Sequence, residues 1–209
     1  MALPLHGRDR GSNPQRPESE NMDDTVLDNK LAVRDCEHCP KLVECRSQIV
    51  NGVGPVDAAI VFVGEAPGAT EDDEGEPFIG RSGQILTEAL SDRGIDREDV
   101  RITNCVRCRP PKNRDPNKTE LANCSDHLDE ELTRISPRVV VPLGRIPVQH
   151  ILGDVGQITE VAGSVHEIEI NGSPVTVVAS VHPAATLYNR SLEPTFNETF
   201  DTISQLAGE

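Results

Sequence analysis

The chain has 209 residues, 35 acidic against 20 basic, for a net charge of -15, and only 4 of the basic residues are lysine. That length suits one domain with a real core, and no apolar run approaches the roughly 18 residues a transmembrane helix needs. An acidic surface argues against a nucleic-acid partner, because phosphates repel it. An acidic, lysine-poor surface also suits a high-salt cytoplasm. There the screening length shrinks to about 3 Å near 1 M, and local arginine placement outweighs net charge.

Residues 1–25 read as a disordered extension: polar, with several Pro, Gly and Arg and no apolar h-region. Met22 opens an acidic run and reads as the natural start, and the chain is expected to be cytoplasmic. Residues 26–209 read as one domain. Residues 26–50 hold a short helix and the knuckle Cys36-Glu37-His38-Cys39-Pro40. The β-branched run 58–63 predicts a buried strand, followed by a glycine-rich acidic loop over 64–83. Ile85, Leu86, Ala89 and Leu90 predict a helix to about Arg93, with Ser82 as its cap. A second strand covers 100–103 and ends at Asn104. The loop 105–116 contains three prolines, which exclude regular structure. A helix runs from Thr119 past Leu132, a third strand covers 138–143, and a short helix covers 146–152. Residues 166–178 predict two strands turned at Asn171-Gly172; the second continues to Val181 and stops at His182-Pro183. A last helix spans about 193–206. Strands alternating with helices indicate an α/β class fold, a single α/β/α sandwich around a central, mainly parallel four-stranded sheet.

The loop 64–83, GEAPGATEDDEGEPFIGRSG, is the first candidate for a site, since open α/β folds bind ligands on loops at the carboxyl ends of strands. Glycines and acids suit a surface loop, but Pro77-Phe78-Ile79 in their midst do not. Glu65, Asn104 and His182 each directly follow a strand, and in a parallel sheet those positions converge on one edge. Arg81, Ser82 and Gly83 stand at a helix start, where free amides and the dipole favour anions. Arg109 and Arg114 flank the prolines and Arg190 follows His182, so these arginines border the same edge and are expected to contact phosphate.

Six cysteines in a cytoplasmic chain suggest metal rather than disulfides. Cys36/Cys39 with Cys105/Cys108 would make a tetrahedral zinc site. Cys36, Cys39, Cys108 and Cys124 would instead suit a [4Fe-4S] cluster. From the residues alone the two are even.

Four segments, Gly64-Glu-Ala-Pro-Gly68, Pro77-Phe-Ile-Gly-Arg-Ser-Gly83, Asn104-Cys-Val-Arg-Cys-Arg-Pro-Pro-Lys-Asn-Arg114 and Ser180-Val-His-Pro183, closely resemble the family 4 uracil-DNA glycosylases, the iron–sulfur type. The resemblance covers about residues 34–206, with the motifs in the family's order. It implies the glycosylase fold and removal of uracil from DNA, leaving an abasic site. It also implies a structural [4Fe-4S] cluster on Cys36, Cys39, Cys108 and Cys124, with Cys45 and Cys105 as bystanders. The sister family of broader base range has an apolar residue where Glu65 stands, so Glu65 supports the uracil-specific branch.

The same resemblance implies roles. Phe78 stacks on the flipped base, Asn104 pairs with its edge, and Glu71 beside C5 excludes the thymine methyl. His182 donates to uracil O2, helped by backbone amides of 64–68 including Ala66, and Glu65 stabilises the sugar cation or orients water. A residue of the loop 184–188 wedges into the base stack. Expected partners are uracil-containing DNA, single- or double-stranded, and the replication sliding clamp, with a monomeric chain and no membrane. The competing readings are a non-catalytic cluster-bearing DNA-binding module, a small electron carrier, and a deaminated-base glycosylase of broader specificity.

Overall fold

The computed structural model describes residues 31–208; the expected N-terminal extension, residues 1–25, lies outside them. Three parallel strands form the centre of the sheet. They are β1 (Ile60–Gly64), β2 (Arg101–Asn104) and β3 (Val139–Pro142), each buried along its whole length. A hairpin, β4 (Val165–Ile170) and β5 (Ser173–Val178), completes it, giving five strands in the order β2-β1-β3-β5-β4 rather than four. β5 runs parallel to β3, while β4 pairs antiparallel along the whole of β5. β4 alternates exposed and half-buried positions, the pattern of an edge strand covered on one face.

Both faces of the central strands are covered, as β-branched runs without polar alternation require. Ile60, Phe62, Ile102, Val139 and Val141 point to one core with Leu86 and Leu90 of α3 (Arg81–Ser91) and Phe196, Phe200 and Ile203 of α8 (Glu193–Gly208). Val61, Val63, Val140 and Val177 point the other way, onto Leu128, Leu132 and Ile135 of α4 (Lys118–Ile135). The short helices are α1 (Pro40–Val43), α2 (Ala69–Glu74), α5 (Arg145–Leu152), α6 (Ile158–Val161) and α7 (Ala185–Tyr188).

Three local expectations are corrected. The loop 64–83 contains a helical turn and a half, α2, with Glu71 and Asp72 in its first turn and Gly75 in the left-handed conformation closing it (φ 81°). Ser82 does not cap α3; Gly80 is the N-cap residue and the helix has already begun at Arg81. The proline-rich loop holds a 3-10 turn at Pro111–Asn113, tolerated because a proline at the first position forfeits no helical hydrogen bond.

A buried ion network fixes the end of β2. Glu131 of α4 accepts from Arg101 Nε at 2.8 Å and from Arg107 Nη2 at 2.7 Å, all three side chains being out of solvent. Arg107 also donates to the carbonyls of Leu31 and His127 and to Asn51 Oδ1. The turn after β2 is thereby bolted to α4.

Candidate active site

Parallel strands carry their carboxyl ends to one edge, and there the sequence places polar residues. Glu65 follows β1, Asn104 closes β2 opposite Gly64, and His182 follows β5, where Ser180 bridges to Leu143 beyond β3. Together with Ala66, Gly68, Glu71, Phe78 and Ser82 these three line one cavity of about 340 Å³.

Phe78 answers the question its sequence raised. It is a left-handed aromatic (φ 55°) and only 6% exposed, with its ring against the core and against the cavity. Its centroid lies 5.8 Å from that of His182, the planes tilted by 32°. Two glycines make this pose possible: a Cβ on Gly83 would collide with the Phe78 carbonyl, and one on Gly64 with the Phe78 ring and Asn104 Oδ1. Non-glycine residues rarely adopt such a backbone, and where they do the surroundings enforce it. Here Arg97 contributes, donating from Nη2 to the Pro77 carbonyl at 2.9 Å.

Asn104 is 3% exposed, and no hydrogen bond among the described residues engages its side-chain amide. His182 accepts at Nδ1 from the Ala184 N–H at 3.2 Å. Burial lowers its pKa, with Glu71 opposing, so the ring is held neutral with its proton on Nε2. Glu65 is half-buried, and burial raises its carboxyl above the ordinary range; Asp115 adds to the rise and Arg145 opposes it. Glu71 Oε1 accepts from the Gly80 N–H at 3.3 Å, closing α2 against the start of α3.

The expected phosphate contacts are distributed unevenly. Ser82 lines the cavity, and Arg81 and Arg190 are exposed. Arg109 donates to Asn113 Oδ1 at 2.7 Å. Arg114 forks onto both oxygens of Glu120 at 2.7 and 2.8 Å, and Glu120 in turn completes the capping box of α4 with Asn117. Its guanidinium therefore serves a helix end. Gly83 is buried, and its reason is the close approach of Phe78. The sequence reading passed over Asp115 and Arg145, paired at 2.7 Å beside Glu65. The signal was present: Arg145 follows β3 as Glu65 follows β1.

The cysteines sort into two groups. Cys108 and Cys124 are buried with Leu42 and Val106, and Cys39 packs on them. Cys105 instead joins the sheet core with Val61 and Leu128, where burial drives its thiol far upward. Arg46 links Cys36 to this first group, donating to Cys108 Sγ at 3.0 Å and to the Cys36 carbonyl at 2.8 Å. Asn123, beside Cys124, donates to the His38 carbonyl at 2.9 Å. No three His, Cys, Asp or Glu side chains stand at coordinating distance among the described residues. Cys36, Cys39, Cys108 and Cys124 nonetheless offer soft thiol donors gathered from three segments around one apolar patch, which fits an iron–sulfur group.

The model of the uracil DNA glycosylase superfamily matches residues 51–204. The chain belongs to this superfamily. Among its relatives, the type-4 uracil-DNA glycosylase of Archaeoglobus fulgidus is 43% identical, covering 91% of this chain and 95% of the relative. That of Thermotoga maritima is 43% identical over 77% of this chain. The type-5 uracil-DNA glycosylase of Pyrobaculum aerophilum is 35% identical over 71%. The superfamily assignment fits the α/β sheet, and the residues lining the cavity, Glu71 apart, come from the segments that carry the resemblance.

Proposed function

We infer that this protein is a uracil-DNA glycosylase, which flips uracil out of DNA and hydrolyses its N-glycosidic bond to start base excision repair. The observation that carries the reading is the unspent amide of Asn104, buried at the end of β2 in a cavity shared with Phe78, His182 and Glu65. The amide opens onto the cavity with no hydrogen-bond partner among the described residues. A ligand there must offer it a donor and an acceptor, and the N3–H and O4 of uracil do so. Cytosine presents the reverse pattern and leaves both sides unpaired.

Extruding the nucleotide costs a few kcal/mol. Stacking on Phe78 returns about 1–3 kcal/mol. Glu71, on the cavity wall, is in this reading the gate that excludes the thymine methyl. As the glycosidic bond breaks, negative charge gathers on uracil O2 and positive charge on the sugar. The neutral imidazole of His182 donates from Nε2 to O2, an oxyanion role that needs no proton to leave the ring. Amides of 64–68, that of Ala66 among them, assist. The Glu65 carboxylate faces the cationic sugar and orients the attacking water. Among the described residues no lysine lines the cavity, so the enzyme is read as monofunctional, releasing an abasic site.

Arg81, Ser82, Arg109 and Arg190 are the phosphate contacts in this reading, with Arg114 acting through the α4 cap. Tyr188 at the end of α7 is 91% exposed and is the residue of that loop suited to wedge into the stack. Cys36, Cys39, Cys108 and Cys124 would hold a [4Fe-4S] cluster, which when bound crosslinks the knuckle, the turn after β2 and α4. A monomer in the cytoplasm, with the sliding clamp as partner, completes the proposal. Incubation with a single-uracil oligonucleotide followed by alkaline cleavage at abasic sites tests it. Cleavage at uracil and not at thymine is expected, and an uncleaved strand refutes it.

A further inference from the structure

The wall of the cavity formed by α2 has no apolar anchor. Its six residues are too few to be helical on their own, its N-cap Gly68 brings no side-chain bond, and its only buried residue is Asp72, at 0% exposure. Both Asp72 oxygens accept from one backbone group, the Ser47 N–H, at 2.9 and 3.0 Å. Gln48 then donates from Nε2 to the carbonyls of Asp72 and Asp73 at 3.1 and 3.0 Å, satisfying carbonyls that a helix end leaves open. The residue before these two is Arg46, which holds Cys108 Sγ and the Cys36 carbonyl. Three consecutive residues thus face two ways: one grips the cysteine group, the next two grip the helix that presents Gly68 and Glu71 to the cavity.

We propose that residues 46–48 are a strap joining the cysteine knuckle to the cavity wall, and that Asp72 is the positioning residue through which the strap holds Glu71. A carboxylate buried without apolar neighbours on its own helix is a costly anchor unless something must be held in place. What it holds is the short helix in which the preceding residue, Glu71, is the proposed gate against thymine. The state of the cysteine group is thereby transmitted to base selection through a few hydrogen bonds, without any contact between a cysteine and the base. The kinetic part of this inference rests on the uracil-excision reading; the mechanical part does not.

Amide hydrogen exchange over residues 69–75, read by mass spectrometry on the full chain, tests the mechanical part. Asp72→Ala is expected to raise exchange in that segment about tenfold or more while the protein's iron content stays at the wild-type level. Asp72→Asn, which keeps an acceptor for Ser47, is expected to restore most of the protection. Gln48→Leu, at the surface end of the strap, gives a smaller rise and serves if Asp72→Ala fails to fold. For the kinetic part, inhibition by free uracil should weaken about tenfold in Asp72→Ala, and KM should rise more than kcat falls. Arg46→Gln should raise exchange in 69–75 as well and speed iron loss to a chelator. Wild-type exchange in 69–75 for both Asp72→Ala and Gln48→Leu overturns the strap. A wild-type protein that releases no uracil overturns the functional reading alone, since the exchange experiment requires no turnover.

Discussion

Gly64 and Asn104 face each other across the ends of β1 and β2, so closely that a single methyl on Gly64 would strike Asn104 Oδ1 and the ring of Phe78 together. The sheet register thus sets two proposed base contacts from one glycine. Gly64→Ala should cut uracil excision at least about a hundredfold while costing about 1–3 kcal/mol of stability, the usual toll of overpacking. Excision kinetics beside a thermal melt separate the two effects. A normal rate would mean that the register does not place these side chains for catalysis.

Asn104→Ala removes the amide that matches the uracil edge. Two lost hydrogen bonds with unpaired partners predict a loss of about a hundredfold or more in kcat/KM. Stability should hold, because the amide faces the cavity and makes no hydrogen bond to the described residues. A single-turnover assay with a melting curve checks both halves of the statement.

The pH dependence follows from two opposite displacements. Burial raises Glu65 above the usual carboxylate value and lowers His182 below the usual imidazole value. Activity requires Glu65 ionised and His182 neutral, so both groups fail on the acid side. The acid limb of the rate profile should therefore lie above the ordinary carboxylate range, displaced upward by the burial of Glu65. Linkage gives the two groups opposite signs. His182 binds its proton more weakly folded than unfolded, so its contribution is present above about 6.5 and is lost as pH falls toward its folded value; Glu65 costs stability once it ionises. Glu65→Gln should slow excision by about 10²–10⁴ and remove its share of the acid limb. A limb unchanged in that variant would exclude Glu65 as the titrating group.

The polar residues at the strand ends were legible because each follows an apolar run that ends abruptly, and the pleat of a parallel sheet leaves them no other edge. Helix α2 was not legible, because it has no apolar stripe and its buried residue is an aspartate. Arg114 read as a surface cation because its partner Glu120 becomes a neighbour only when the capping box of α4 forms. The fifth strand was visible as half of a hairpin at Asn171-Gly172, but its one-sided burial set it apart from the continuous apolar strands that the count of four relied on. The choice between Cys105 and Cys124 was hidden for a similar reason. CxxC spacing pairs Cys105 with Cys108, while the chain direction after β2 turns Cys105 into the sheet core and leaves Cys124 beside Cys108.

That sorting predicts the behaviour of two serine variants. Cys124→Ser should lose most bound iron and sulfide and the brown colour expected of the protein. Cys105→Ser should keep them. Iron analysis and visible absorbance give the answer; equal loss in both, or stoichiometric zinc in the wild type, would contradict the proposed ligand set.

The buried network on α4 predicts a stability effect distant from the cavity. Glu131→Ala leaves the Arg101 and Arg107 charges buried together without their shared carboxylate. The cost should be about 3–5 kcal/mol, measured by denaturant unfolding. A change near zero would mean that the two arginines find other partners.

The central claim is that the edge formed by Glu65, Asn104 and His182 excises uracil from DNA, and the most direct measurement is free uracil released from an oligonucleotide with one uracil, across a range of salt concentrations. The expected result is one uracil and one abasic site per strand, no release from a thymine control, and a release rate lower by orders of magnitude in His182→Ala. Absence of uracil release at every salt concentration, or a His182→Ala variant that matches the wild type, would contradict it.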